Sequence, residues 1–226
     1  MAKGGLTKME KRFEDYLESL CQKAIELGAA EAAALEASDI VVDERAALKC
    51  RVPVCPYYGV SLMCPPNIMP VTEFKRIVKL YRGAVLIKVI NNYQVAPMEA
   101  ADRNSLSGLW QIAGSTSGAA KPGGAIASYL QAIRQGQGML YDIIDQIESL
   151  CLKAGYTFTA GLSAGSCSLC EQCVGVSSGL PCRHPFRARP SIEGLGVDAI
   201  ATARKAGITL GFNQQNTSWV GLVLVD

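Results

Sequence analysis

Residues 165 to 185 read GSCSLCEQCVGVSSGLPCRHP, which gathers four of the chain's nine cysteines and its single histidine into one stretch. Cys167, Cys170 and Cys173 recur at intervals of three, and Cys182 follows after eight intervening residues, giving C-x2-C-x2-C-x8-C. Loops this short can direct several thiolates at one centre, as a cubane with cysteines on its iron corners requires. The bacterial ferredoxin run C-x2-C-x2-C-x3-C-P shares the first three positions; here Pro185 stands close behind the displaced fourth cysteine. Small residues fill the box (Gly165, Ser166, Ser168, Gly175, Ser177, Ser178, Gly179), so backbone N–H groups can approach inorganic sulfur and tune its potential. A 4Fe-4S cluster on all four thiolates is the leading reading. Structural zinc, the main alternative, also takes four thiolates but usually gathers them as two separated pairs.

A second box lies upstream. CRVPVCPYYGVSLMCPP gives C-x4-C-x8-C through Cys50, Cys55 and Cys64, so seven of nine cysteines fall in two boxes. Two boxes imply two metal sites, or one site assembled from both. Pro53, Pro56, Pro65 and Pro66 stiffen this loop, because proline fixes its own φ and restricts its predecessor. No fourth ligand is evident. Cys21 and Cys151 are candidates, but both sit among apolar neighbours on helical segments, where cysteine acts by default as a small hydrophobe. A three-thiolate set leaves one coordination position open, which is how metal sites do Lewis-acid chemistry, whereas closed sites carry electrons or hold structure.

Other chemistries fit less well. A Cys–His nucleophile pair needs one activated thiolate and gives no reason for three more beside it. With four thiolates available, His184 is expected outside the ligand set, bonded to a backbone carbonyl or to sulfur. Arg183, Arg187 and Arg189 form a basic patch that either offsets the anionic cluster and docks an anionic partner, or is a solvated loop. Disulfides fit neither the odd cysteine count nor an N-terminus without the apolar stretch of a signal peptide. A cytoplasmic protein is expected, where thiols stay reduced. A net charge of +2 gives no argument for nucleic acid, and Lys88 interrupts the strongest apolar run, so no membrane span is expected. GSTSGAAKPGG lacks the G-K-[ST] ending of a phosphate loop, and no G-x-G-x-x-G follows a strand.

The elements that must position these boxes can be read from periodicity. Helices are expected over 8–27, 71–81, 97–113, 125–153 and 191–207; short strands over 30–37, 84–90, 156–162 and 219–226. Residues 50–70 are expected to be irregular, and 114–124 a flexible glycine-rich insert. With 226 residues, 49% apolar and 19% charged, the chain can build one substantial core. The α/β order implies a single domain over 1–226, a mixed sheet of four or five strands covered by helices.

Taken together, Cys50 and Cys55, Tyr58-Gly59, Cys64-Pro65-Pro66, the Cys167–Cys173 run and Pro181-Cys182-Arg183-His184-Pro185 resemble an uncharacterised "predicted metal-binding protein" family common in anaerobic bacteria and archaea. Arg189-Pro190-Ser191, Glu193, Gly196 and Asp198 follow in register, and the likeness spans most of residues 31 to 210. The resemblance implies a metal-binding protein, with both boxes as ligands and iron–sulfur as the metal chemistry; it implies no reaction. Glu193 and Asp198 are expected to cap or brace rather than to do acid–base chemistry. The expected function is an iron–sulfur protein with one or two 4Fe-4S clusters. It would either exchange electrons with a redox partner protein or act on a small-molecule substrate at the three-cysteine site. The alternative is a zinc-stabilised interaction domain.

Overall fold

A computed structural model describes residues 8–91, 124–170, 172–213 and 216–226. The expected helix at 97–113 and the insert at 114–124 lie outside the described residues, except Gly124, where a long helix begins.

Ten elements follow in chain order: α1 (Lys8–Glu26), β1 (Glu31–Glu36), α2 (Glu44–Leu48), α3 (Val71–Ile77), β2 (Gly83–Asn91), α4 (Gly124–Lys153), β3 (Ala160–Ser163), α5 (Ala199–Lys205), β4 (Phe212–Asn213) and β5 (Asn216–Val225). The strands form one sheet in the order β1-β2-β5-β3, with β4 paired to β5. The α/β class and the five strands agree with the sequence reading; the strand directions do not. Every pairing of these strands is antiparallel, and the parallel contact is confined to the isolated bridge Ser163–Ser191.

The sheet is covered on both faces, which explains why β2 reads as a continuous apolar run rather than an alternating one. Val85, Ile87 and Val89 pack with Val223 and Val225 against Phe13, Leu17 and Leu20 of α1 and Leu140, Ile144 and Ile147 of α4. Ala84 and Leu86 point the other way, with Leu222 and Leu224, toward Phe74, Val78, Ile192, Leu195 and Val197. The alternation follows from the period of two along a strand, with Val85 opposite Val223 and Leu86 opposite Leu222. Lys88, buried within β2, reaches Glu31 on the neighbouring strand at 2.5 Å and the Thr209 carbonyl at 2.7 Å. Among the described residues no helix is long and apolar enough to cross a membrane.

Two elements are shorter than the sequence implies. The helix expected over 191–207 is confined to Ala199–Lys205. Gly196 adopts φ +83°, and a Cβ there would stand 2.4 Å from Val71, so the chain turns at this point and cannot coil. Asp198 then starts the helix by accepting the Ala201 N–H at 2.9 Å. The strand expected from residue 156 begins at Ala160, because Tyr156 leaves the sheet to stack on Tyr16 of α1.

Candidate metal centre

The C-terminal box hangs from the end of β3, an edge strand paired only with β5 among the described strands. Gly165 opens it at φ +76°. A Cβ there would stand 2.9 Å from the Gln137 amide and 3.1 Å from the Trp219 ring, so both the backbone angle and the space demand glycine. The Gly165 N–H donates to Glu193 Oε2 at 3.0 Å, and Gln137 Nε2 donates to the Ser166 carbonyl at 3.3 Å. These bonds fix the chain just before Cys167.

Cys167 is the inner cysteine of the box. Burial pushes its thiol up, while the Leu169 N–H and the Tyr141 hydroxyl bond its sulfur and favour the thiolate; Cys182 and Cys170 are close enough for their charges to act on it. Cys182 accepts the His184 N–H at 3.4 Å. Arg183 donates to the Gln172 carbonyl at 2.8 Å and so closes the loop across its open side. Cys170 and Cys173, half-buried, line a cavity of about 530 Å³ with Leu180, Arg183 and His184. His184 thus offers its backbone N–H to a cysteine sulfur and its side chain to the cavity wall.

The basic patch takes a different form from the one the sequence implies. Arg187 pairs with Asp142 at 2.5 Å and with Asp145, and Arg189 pairs with Asp145 at 2.7 Å and with Glu148. The Arg189 side chain is 10% exposed and Glu148 15%, so this pair is a buried clamp holding the loop's return to α4. Of the three arginines, only Arg183 remains without a carboxylate partner among the described residues. Sequence reasoning missed the clamp and missed Gln137 and Tyr141. The available signals were an acidic row at i, i+3 and i+6 on α4, and a polar pair at i, i+4 on the same helix.

The N-terminal box is the irregular segment expected, a succession of tight turns after α2. The Cys55 N–H donates to the Cys50 carbonyl at 3.1 Å, the Gly59 N–H to the Pro65 carbonyl at 2.8 Å, and the Cys64 N–H to the Ser61 carbonyl at 3.2 Å. Cys50 and Cys55 are half-buried and Cys64 is buried. Burial pushes the Cys64 thiol up to about 12; the Ser61 hydroxyl works against that, and the charges of Cys55, Cys50 and Glu193 add to it. Burial also raises Cys50, with Cys55 and Glu193 contributing. The fold therefore makes Cys50, Cys55 and Cys64 neighbours. Cys21 and Cys151 lie elsewhere, in the apolar cluster on the α1 and α4 face. A second cavity, about 430 Å³, lies beside this box between Ala47, Leu48, Arg51, Pro65, Ile68 and Val71.

All nine cysteines are free thiols. Among the described residues no three His, Cys, Asp or Glu side chains converge as a single bound ion would require. The donor set fits a thiolate-bound centre: soft sulfur ligands in two loops, with N–H and O–H groups bonded to sulfur in the C-terminal one.

No curated protein and no solved structure matches the chain. The family model described as "Predicted metal-binding protein (DUF2284)" matches residues 33–225, a span that takes in both cysteine boxes and every strand except the first residues of β1. With both boxes inside that span, the chain belongs to this family of predicted metal-binding proteins.

Proposed function

We propose that Cys167, Cys170, Cys173 and Cys182 hold a 4Fe-4S cluster, and that Cys50, Cys55 and Cys64 hold a second centre with one position open. The observation that carries this reading is the C-terminal loop itself. Three cysteines at intervals of three share it with donors bonded to sulfur: the Leu169 N–H and Tyr141 hydroxyl on Cys167, and the His184 N–H on Cys182. Three cysteines in seven residues with a fourth close behind follow the cubane spacing, whereas structural zinc usually gathers its thiolates as two separated pairs.

Such a centre supplies one-electron chemistry and, at an open iron, Lewis acidity. The chain's own residues divide the work. Cys170 and Cys173 stand at the open cavity, the side from which a redox partner protein can exchange electrons. Leu180, exposed beside Arg183 in the cavity lining, gives such a partner an apolar contact. Cys64 is withdrawn from solvent, and the apolar cavity next to its loop offers space for a small-molecule substrate. In this reading the whole chain, 1–226, works as one metal-binding domain in a cytoplasmic, reducing setting.

Anaerobic purification with iron, acid-labile sulfide and zinc quantified tests the proposal. Iron and sulfide in equal amounts are expected; zinc without sulfide would overturn the cluster and leave a structural zinc domain. Small ligands that bind iron are expected to perturb the cluster spectrum, and no perturbation by any of them would remove the open position.

A further inference from the structure

The turn Ser191–Gly194 touches both cysteine boxes. The Ser191 N–H donates to the carbonyl of Met63, the residue before Cys64, at 3.0 Å. The Ile192 N–H donates to the carbonyl of Ser163, the last residue of β3, also at 3.0 Å. Gly194 packs against the Pro65 ring, leaving no room for a side chain. Elsewhere along the same contact, Gly175 of the C-terminal box lies against the Val60 carbonyl of the N-terminal one.

Glu193 stands at the middle of this junction. Its Oε2 accepts the Gly165 N–H at 3.0 Å, two residues before Cys167, and the Ser191 hydroxyl at 2.9 Å. Ser191 in turn donates its own N–H into the N-terminal box, so the carboxylate is tied directly to one box and through Ser191 to the other.

We infer that the two boxes form one two-part centre, with Glu193 as the positioning residue that joins them. This rests on the reading that both boxes hold metal. Glutamine at this position keeps an oxygen that can accept both hydrogen bonds; alanine removes it.

The experiment compares wild type, Glu193→Gln, Glu193→Ala, Cys64→Ala and Cys170→Ala after anaerobic reconstitution with iron and sulfide, reading metal per chain. Glu193→Gln is expected to keep wild-type metal content. Glu193→Ala is expected to lose more metal than either cysteine variant alone, since both halves loosen together. Metal loss in Glu193→Gln as large as in Glu193→Ala overturns the inference. So does metal in Glu193→Ala no lower than in Cys64→Ala, or a Cys64→Ala protein with its metal intact. If the metal is zinc, its count in Glu193→Ala decides the joining in the same way, while the missing sulfide counts against the cluster alone.

Discussion

The Tyr141 hydroxyl donates to the Arg189 carbonyl at 3.4 Å and lies close enough to the Cys167 sulfur to favour its thiolate. Tyr141 is 1% exposed, so water cannot replace it. A donor on a ligand sulfur withdraws charge and favours the reduced state of an iron–sulfur centre. Tyr141→Phe keeps the ring and deletes the donor. The expected result is a lower reduction potential for the C-terminal signal and a stability loss of about 1 kcal/mol, read by redox titration and urea denaturation.

The two arginines on α4's acidic row should behave differently. Arg189 is buried with Glu148, and removing it strands a carboxylate that burial already disfavours. Arg189→Ala is expected to cost about 3 kcal/mol. Arg187 is 45% exposed and its partner Asp142 66%, so Arg187→Ala should cost less than about 1 kcal/mol. Equal losses in chemical denaturation would refute the distinction between clamp and surface pair.

Cys21 carries a pH prediction. Burial, helped by the charge of Glu18, pushes its thiol up to about 12. An unfolded cysteine ionises near ~8.5, so between that pH and about 12 the unfolded chain releases a proton that the folded chain keeps. Stability therefore falls as pH rises through this window, and Cys21→Ala should flatten the fall. Cys21→Ala and Cys151→Ala should each retain all bound metal, as core residues of the α1 and α4 face. Metal loss in either variant would make that cysteine the missing fourth ligand.

Removing the metal should leave the sheet standing. The two apolar clusters that flank it are built from strand and helix side chains and from the turn at Ile192–Val197, with none of the seven box cysteines. The metal-free protein is expected to keep its far-ultraviolet circular dichroism while becoming susceptible to proteolysis at 50–66 and 165–185. Global loss of the dichroism signal would show that folding depends on metal throughout.

Local chemistry made much of this molecule legible. The run at 84–90 became β2 because a continuous apolar segment fits a strand covered on both faces, and the bracing roles expected of Glu193 and Asp198 are present as hydrogen bonds. What periodicity could not supply was partnership across distance. Nothing local to WVGLVLVD says that β5 lies between β2 and β3, or that all its neighbours run antiparallel to it. Arg187 and Arg189 read as free charge until α4 brings Asp142, Asp145 and Glu148 beside them, more than thirty-five residues upstream. The helix expected from residue 191 starts only at Ala199, because Gly196 holds a turn at φ +83° that periodicity does not register.

The central place of β5 also sets a sequence of events during synthesis. β3, from which the C-terminal box hangs, has no other partner among the described strands, and β5 follows it in the chain. While the ribosome is still making residues 164–215, the four cysteines of that box have emerged or are emerging without a fixed platform beneath them. Metal delivered then meets a mobile thiol-rich segment; metal delivered after β5 has docked meets an ordered loop. Metal is therefore expected to load best on the finished chain, once β5 has given the C-terminal loop its platform.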